Sequence, residues 1–187
     1  MIINYFGEGC FRLQSGNLSL LVNPANNRLK ADVVLHTLNL TDAAPNPEDI
    51  AYAGEYEVKG IEIQGWQLDG ESNNKFIKTV FAVDWENMRF VILGHISKSL
   101  PADIQEELGE PDVLFVPTGD AHFISAADAA KLVKQLEPKI VIPVYYKKNA
   151  DEFGKAMGVK PEIEEKLVFR KKDLSEGKRR VVVVEAK

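Results

Sequence analysis

The chain is poor in the residues that most often carry chemistry: it has one cysteine, three histidines, no long basic tract and no long apolar run. Each scarcity excludes something. Cys10 alone can neither close an intrachain disulfide nor build a thiolate zinc cluster. No nearby sequence partner marks it as a nucleophile, so a small buried hydrophobe is expected there. The formal charge is -5, and the basic residues come in short groups such as Lys147-Lys148, Arg170-Lys171-Lys172 and Lys178-Arg179-Arg180. Binding to nucleic acid phosphates needs larger clusters of cations, so no nucleic-acid partner is expected. A bilayer span takes about 20 apolar residues, and Met1–Phe6 lacks the basic start of a signal peptide and meets Gly7-Glu8 too soon. A soluble cytoplasmic protein with no membrane partner is the expectation. Gly-x-Ser-x-Gly, Gly-x-Gly-x-x-Gly and Walker patterns are also missing, which removes the serine elbow and two common modes of nucleotide binding.

What the chain does contain is a strand-rich first half and an alternating second half. At 187 residues, 45% of them hydrophobic, it fits one domain with an ordinary core. Ile2–Phe6, Cys10–Leu13 and Leu18–Val22 are β-prone runs separated by Gly7-Glu8-Gly9 and Ser15-Gly16-Asn17. Tight hairpins are expected at Lys59-Gly60 and around Asp84-Trp85-Glu86-Asn87. Pro101–Leu108 reads as a short helix stopped by Gly109. Ser125-Ala126-Ala127-Asp128 resembles a capping box, after which Ala129, Leu132, Val133 and Leu136 share one helical face. Val113–Val116, Ile140–Val144 and Arg180–Val184 are apolar strands, and Asn149–Met157 and Pro161–Lys166 are expected to be short helices. Strands first and helix–strand units later imply two sheets with helices outside.

Residues 32–43 read Asp-Val-Val-Leu-His-Thr-Leu-Asn-Leu-Thr-Asp-Ala, a buried strand running into a turn. The segment resembles the one that opens the zinc site of the metallo-β-lactamase superfamily, where Thr/Ser-His-x-His-x-Asp-His aims histidines and aspartate at metal. The matching positions are Leu38, Leu40, Asp42 and Ala43. Further segments resemble the small zinc-dependent hydrolases of that superfamily. Ile3–Leu13 followed by Leu20-Leu21-Val22-Asn23-Pro24 is similar to their opening hairpin, which usually ends in Asp-Pro. Ala53-Gly54-Glu55-Tyr56-Glu57 is similar to their Pro-Gly-Glu-Tyr-Glu block. Val91-Ile92-Leu93-Gly94-His95 is similar to the strand ending in His-x-Gly-Asp, with Ile92 and His95 at the two metal-binding positions. Pro111–Pro117, Ala126–Ala130 and Glu137–Pro143 resemble the later strand, helix and strand. Tyr145 then stands where a ligand histidine is expected.

The resemblance runs over the whole chain in order. It implies one domain, residues 1–187, in a four-layer αβ/βα sandwich of metallo-β-lactamase type, α/β in class and α+β by strand order. It implies zinc for the family, while leucine and alanine have no lone pair to offer, so no cofactor is expected here. A catalytic zinc takes three protein ligands and an open position, and apolar side chains raise the cost of burying a dication. The expectation is a hydrolase-like protein that has lost its zinc ligands, non-catalytic, serving as a small-molecule binder or scaffold, with the leucines filling the emptied site. The alternative is a hydrolase of a lactone or phosphoester with a site rebuilt from Asp42, His95, Asp120 and His122, as a metal site or an acid/base pair. Ordinary roles compete: Asp42 as a turn cap, His95 bonded to loop backbone, His122 on a surface loop. His36 is expected to be a satisfied strand-end histidine. Tyr145 and Tyr146, followed by Lys147, could bind an anionic small molecule or fill the vacated space. Strand edges with Trp66 and Trp85 leave a homo-oligomer open, against the alternative that both tryptophans pack in the core.

Overall fold

The computed structural model describes residues 1–119, 122–146, 150–174 and 179–187. The chain opens with β1 (Ile2–Gly7), β2 (Cys10–Ser15), β3 (Leu18–Val22), β4 (Val33–Leu35) and β5 (Leu38–Leu40). Next come β6 (Gly54–Val58), β7 (Ile61–Gln67), β8 (Phe76–Trp85), β9 (Met88–Ile92), α1 (Ala102–Leu108) and β10 (Val113–Pro117). The last part holds α2 (Ala126–Leu136), β11 (Ile140–Val144), α3 (Ala150–Met157), β12 (Glu162–Glu164), β13 (Leu167–Val168) and β14 (Arg180–Val184). Five strands form one sheet in the order β13-β1-β2-β3-β4. The second sheet runs β12-β14-β11-β10-β9-β8-β7-β6, with β5 paired to the start of β8. The result is the expected α/β two-sheet sandwich, and the first sheet is built from the N-terminal segments plus the short β13.

Strand alternation explains the layers. On β8, Phe81 and Val83 join Phe11, Leu13 and Leu20 in the core between the sheets, while Val80 and Ala82 face Leu132, Val133 and Phe153 on the helical side. Side chains of a strand point to opposite faces in turn, so one strand serves two cores. Ile104, Leu108 and Leu136 complete the outer core, which places α1, α2 and α3 against the larger sheet. Phe11 and Phe115 stack across the inter-sheet core with ring centroids 4.0 Å apart.

Local signals act as their chemistry dictates. Lys59 and Gly60 at φ 54 and 77, and Glu86 and Asn87 at φ 52 and 60, make two-residue turns of the hand that suits twisted hairpins. The Ser125 side chain accepts from the Asp128 backbone N–H at 3.1 Å and caps α2. Two expectations are corrected. Pro161–Lys166 is not a helix: Glu162–Glu164 forms β12, parallel to β14, and Arg180 of β14 binds both Glu162 and Glu164. Cross-strand ion pairs and a ladder outweigh the weak helix propensity of so short a segment. Residues 38–40, expected within a turn, form β5, because Leu38 and Leu40 find ladder partners in Lys78 and Phe76.

Candidate functional site

Four turns meet at one rim of the sandwich: those after β3 (Asn23), β4 (Thr37), β9 (Gly94-His95) and β11 (Tyr145). Their side chains form a closed polar network. Asn23 Oδ1 accepts from the Thr37 backbone N–H at 2.8 Å, and Asn23 Nδ2 donates to Thr37 Oγ1 at 2.8 Å and to Tyr145 Oη at 3.1 Å. His95 Nδ1 lies 3.0 Å from Thr37 Oγ1, and His95 Nε2 lies 3.0 Å from Tyr145 Oη. Tyr145 Oη also lies 3.3 Å from His95 Nδ1, so the phenol sits between the two ring nitrogens and the tautomer decides which of them it serves. Asn23 matters chemically here. Its amide N–H groups donate twice, which an aspartate cannot do.

The backbone is shaped to deliver the Tyr145 ring. Tyr145 sits at φ 59 and Asn23 at φ 48, both in the left-handed region, which a bulky residue enters only when its surroundings impose it. Tyr5 supplies part of that imposition: its hydroxyl accepts from the Tyr145 N–H at 3.0 Å and the Gly9 N–H at 3.2 Å, pinning the two turns together. The Tyr145 ring then lies on Gly9, where a Cβ would collide with its Cζ and Oη atoms. Phe123 stacks on the Tyr145 ring with centroids 4.6 Å apart and lies tilted to the His95 ring at 5.9 Å. Tyr145 is 9% exposed, so the ring closes the rim rather than lining an open mouth.

Burial dominates the electrostatics. It drives the His95 pKa from 6.5 down to about 4, helped by the nearby Lys78 ammonium. It also pushes the Tyr145 phenol well above its ordinary value, so both groups are neutral at pH 7. Because His95 binds its proton less readily when folded, the unfolded chain holds more protons between pH 6.5 and about 4. Stability should therefore fall as pH drops through that window, by about 2 kcal/mol after allowance for the partial solvent contact of the ring. Urea unfolding at pH 7 and pH 4.5 measures it, and His95→Gln should remove that part of the slope; an unchanged slope in the variant would refute the assignment.

The other sequence-derived candidates scatter. Asp42 is exposed on the turn after β5, and His122 is exposed on the loop before α2. Asp120 and Lys147 lie outside the described residues. His95 bonds side chains rather than loop backbone. Tyr146 donates to the Val184 carbonyl at 2.5 Å and stacks on Tyr5, which ties it to the core. His36 pairs with Asp49 at 2.9 Å as a satisfied strand-end histidine. Leu38 and Leu40 do not fill the rim. They are 36% and 56% exposed, because β5 turns its alternate residue, Asn39, inward to donate to the Ala51 carbonyl. Asn23, Thr37, Gly9 and Tyr5 were missed as site residues. The Asn-Pro dipeptide was a signal for Asn23, whereas nothing local marks Tyr5.

A two-sheet sandwich with helices on its larger sheet and a polar rim assembled from strand-end turns is the metallo-β-lactamase type of architecture that the sequence resemblance implies. The family model described as a β-lactamase superfamily domain matches residues 2–145, and the chain belongs to that superfamily. Two curated relatives, from Methanopyrus kandleri and Archaeoglobus fulgidus, are named metal-dependent hydrolases. The first is 29% identical over 109 residues, covering 54% of this chain and 47% of the relative. The second is 30% identical over 86 residues, covering 43% and 37%. The matches thus span less than half the length of either relative. A solved structure from Thermotoga maritima, a candidate Zn-dependent hydrolase of the metallo-β-lactamase superfamily, superposes with a TM-score of 0.83 at 26% identity, over 100% of this chain and 99% of that one. A metallo hydrolase from Ignicoccus hospitalis shares the fold, with a TM-score of 0.67 at 16% identity over 98% and 94% of the two chains.

The family implies a metal, and the donor set decides whether the rim fits one. Among the described residues no group of three or more His, Cys, Asp or Glu side chains could hold an ion. Leu38, Leu40 and Ala43 have no lone pairs. Ile92 is 1% exposed within the inter-sheet core. His95 is hydrogen-bonded to Thr37 and Tyr145, and burial disfavours the phenolate of Tyr145. Catalytic zinc takes three protein ligands, so the described rim residues do not fit the group.

Proposed function

We propose that this chain is a metal-free member of the β-lactamase superfamily, a non-catalytic module that binds a small molecule or acts as a scaffold on the inherited fold. The observation that supports it is the Tyr145 phenol, seated on Gly9 and hydrogen-bonded to His95 and Asn23 at 3.0 and 3.1 Å. His95 and Tyr145 stand at positions that the resemblance assigns to metal ligands, and both are neutral at pH 7. Replacing buried charge with satisfied neutral groups keeps a fold stable without the ion's binding energy.

Elemental analysis after growth and dialysis with excess zinc and manganese tests the reading. Less than about 0.1 metal per chain is expected, with a thermal midpoint that a chelator moves by less than about 1 °C, since a ligand that binds only the folded state would raise it. A stoichiometric metal, lost in His95→Ala, would overturn the proposal. It would favour the hydrolase reading, with Asp42, His95, Asp120 and His122 as its first candidates.

A further inference from the structure

A cleft of 510 Å³ lies between the end of β7, residues 68–71, the loop at 98–101 and the start of α1, and none of the four rim side chains lines it. That volume falls within the range of small-molecule sites, about 300–1,000 Å³. Leu68 and Ile104, 4% and 8% exposed, give it an apolar floor, and Trp66 forms one wall. The indole N–H of Trp66 donates to Glu107 Oε2 at 3.1 Å, which holds the ring in place.

The charge around the cleft is uneven. Three carboxylates line it, Asp69, Glu71 and Asp103, against one ammonium, Lys98. Glu71 is spent on Lys78, 2.8 Å away, and on the Ser97 N–H and hydroxyl. Asp69 accepts only from the neutral Gln67 amide, at 2.8 Å, and among the described residues neither Asp69 nor Asp103 forms an ion pair. The cleft therefore presents two uncompensated carboxylates to one uncompensated ammonium. A cation gains from both carboxylates and from the face of an indole, while an anion meets net repulsion.

We propose that this cleft binds a small organic cation with an apolar body, such as an aromatic or alkyl ammonium. The apolar body packs on Leu68, Ile104 and Trp66, and the ammonium sits between Asp69 and Asp103. The inference does not depend on the metal content of the rim. A stoichiometric metal with intact cation binding would remove the proposed function and leave this assignment standing.

The test uses two matched probes of opposite charge, phenethylammonium and 3-phenylpropionate, titrated into the full chain at low ionic strength. Indole fluorescence reports the cleft, because Trp66 lines it whereas Trp85 is 5% exposed in the core between the sheets. Calorimetry provides a second readout. The ammonium should bind saturably, at least about tenfold more tightly than the carboxylate. The double variant Asp69→Asn, Asp103→Asn should weaken the ammonium about tenfold and narrow the difference between probes. Trp66→Leu should abolish calorimetric saturation, with an unchanged thermal midpoint certifying the fold. Equal affinity for both probes, no saturation by the ammonium up to about 10 mM, or binding indifferent to Trp66→Leu would overturn the proposal.

Discussion

Gly9→Ala should destabilise the protein by about 4 kcal/mol, the sum of two penalties at one atom. Gly9 sits at φ +74, and a residue with a Cβ loses about 1–2 kcal/mol in the left-handed region. The new methyl would also fall on Cζ and Oη of Tyr145, and overpacking a closed site costs about 1–3 kcal/mol. Tyr145 has nowhere to retreat, since Phe123 stacks on it and Asn23 and His95 hold its hydroxyl. For a domain of this size each kcal/mol moves the thermal midpoint by about 2–4 °C, so a drop of about 8–16 °C is expected. Removing the ring should relieve the collision and leave the dihedral cost. Gly9→Ala combined with Tyr145→Ala should therefore cost at least about 1.5 kcal/mol less than the two single losses added together. Additive losses would mean that Gly9 is needed for its backbone alone.

The second large effect lies beneath the rim, at Glu71. Its Oε2 takes the Lys78 ammonium at 2.8 Å and the Ser97 N–H and hydroxyl at 2.7 and 2.6 Å, and its Oε1 takes the Lys98 N–H at 3.2 Å. The two side chains of the ion pair are 8% and 12% exposed. Burial by itself would raise the Glu71 pKa, yet the Lys78 ammonium and the Ser97 donors outweigh it and hold the pKa below the ordinary value. Glu71→Gln keeps an acceptor for Ser97 but leaves a buried ammonium without its counter-charge, which costs about 3 kcal/mol. Adding Lys78→Met should recover part of that loss, because the stranded charge goes with it. Urea unfolding of the two variants decides the matter. A single variant within about 0.5 kcal/mol of the parent, or a double variant worse than the single, would count against the pair as a coupled unit. The pH dependence has a fixed sign: with the folded pKa depressed, the stabilisation is complete above the ordinary carboxylate pKa of 4.5 and is lost as pH falls through the lower folded value. This acid loss begins below 4.5, where most of the His95 loss between 6.5 and about 4 is already complete, so the two can be separated along the pH axis.

Much of the scaffold was readable from short-range signals. Lys59-Gly60 and Glu86-Asn87 took the turns their neighbours demanded, and Ser125 with Asp128 started α2 where a cap was needed. Such features depend on residues a few positions apart, so a linear pattern contains them. Leu38–Leu40 and Glu162–Glu164 were misread because three residues carry too little periodicity, and their strand state comes from β8 and β14. The exposure of Leu38 and Leu40 follows from the same pairing, since a strand that buries Asn39 must turn both leucines outward.

By itself the sequence determined the family scaffold and removed Leu38, Leu40, Ala43 and Ile92 from the possible metal donors in any conformation. Composition and order are enough for that, because a lone pair is a property of the residue. The tertiary structure alone decided what the remaining polar groups do. Tyr145 reaches His95, 50 residues away in sequence, and Asn23, 122 residues away. Tyr5 pins Tyr145 from 140 residues away. Contacts of that span arise only when two sheets close over one core, and burial of those contacts, absent from any linear reading, neutralises His95 and seals the rim.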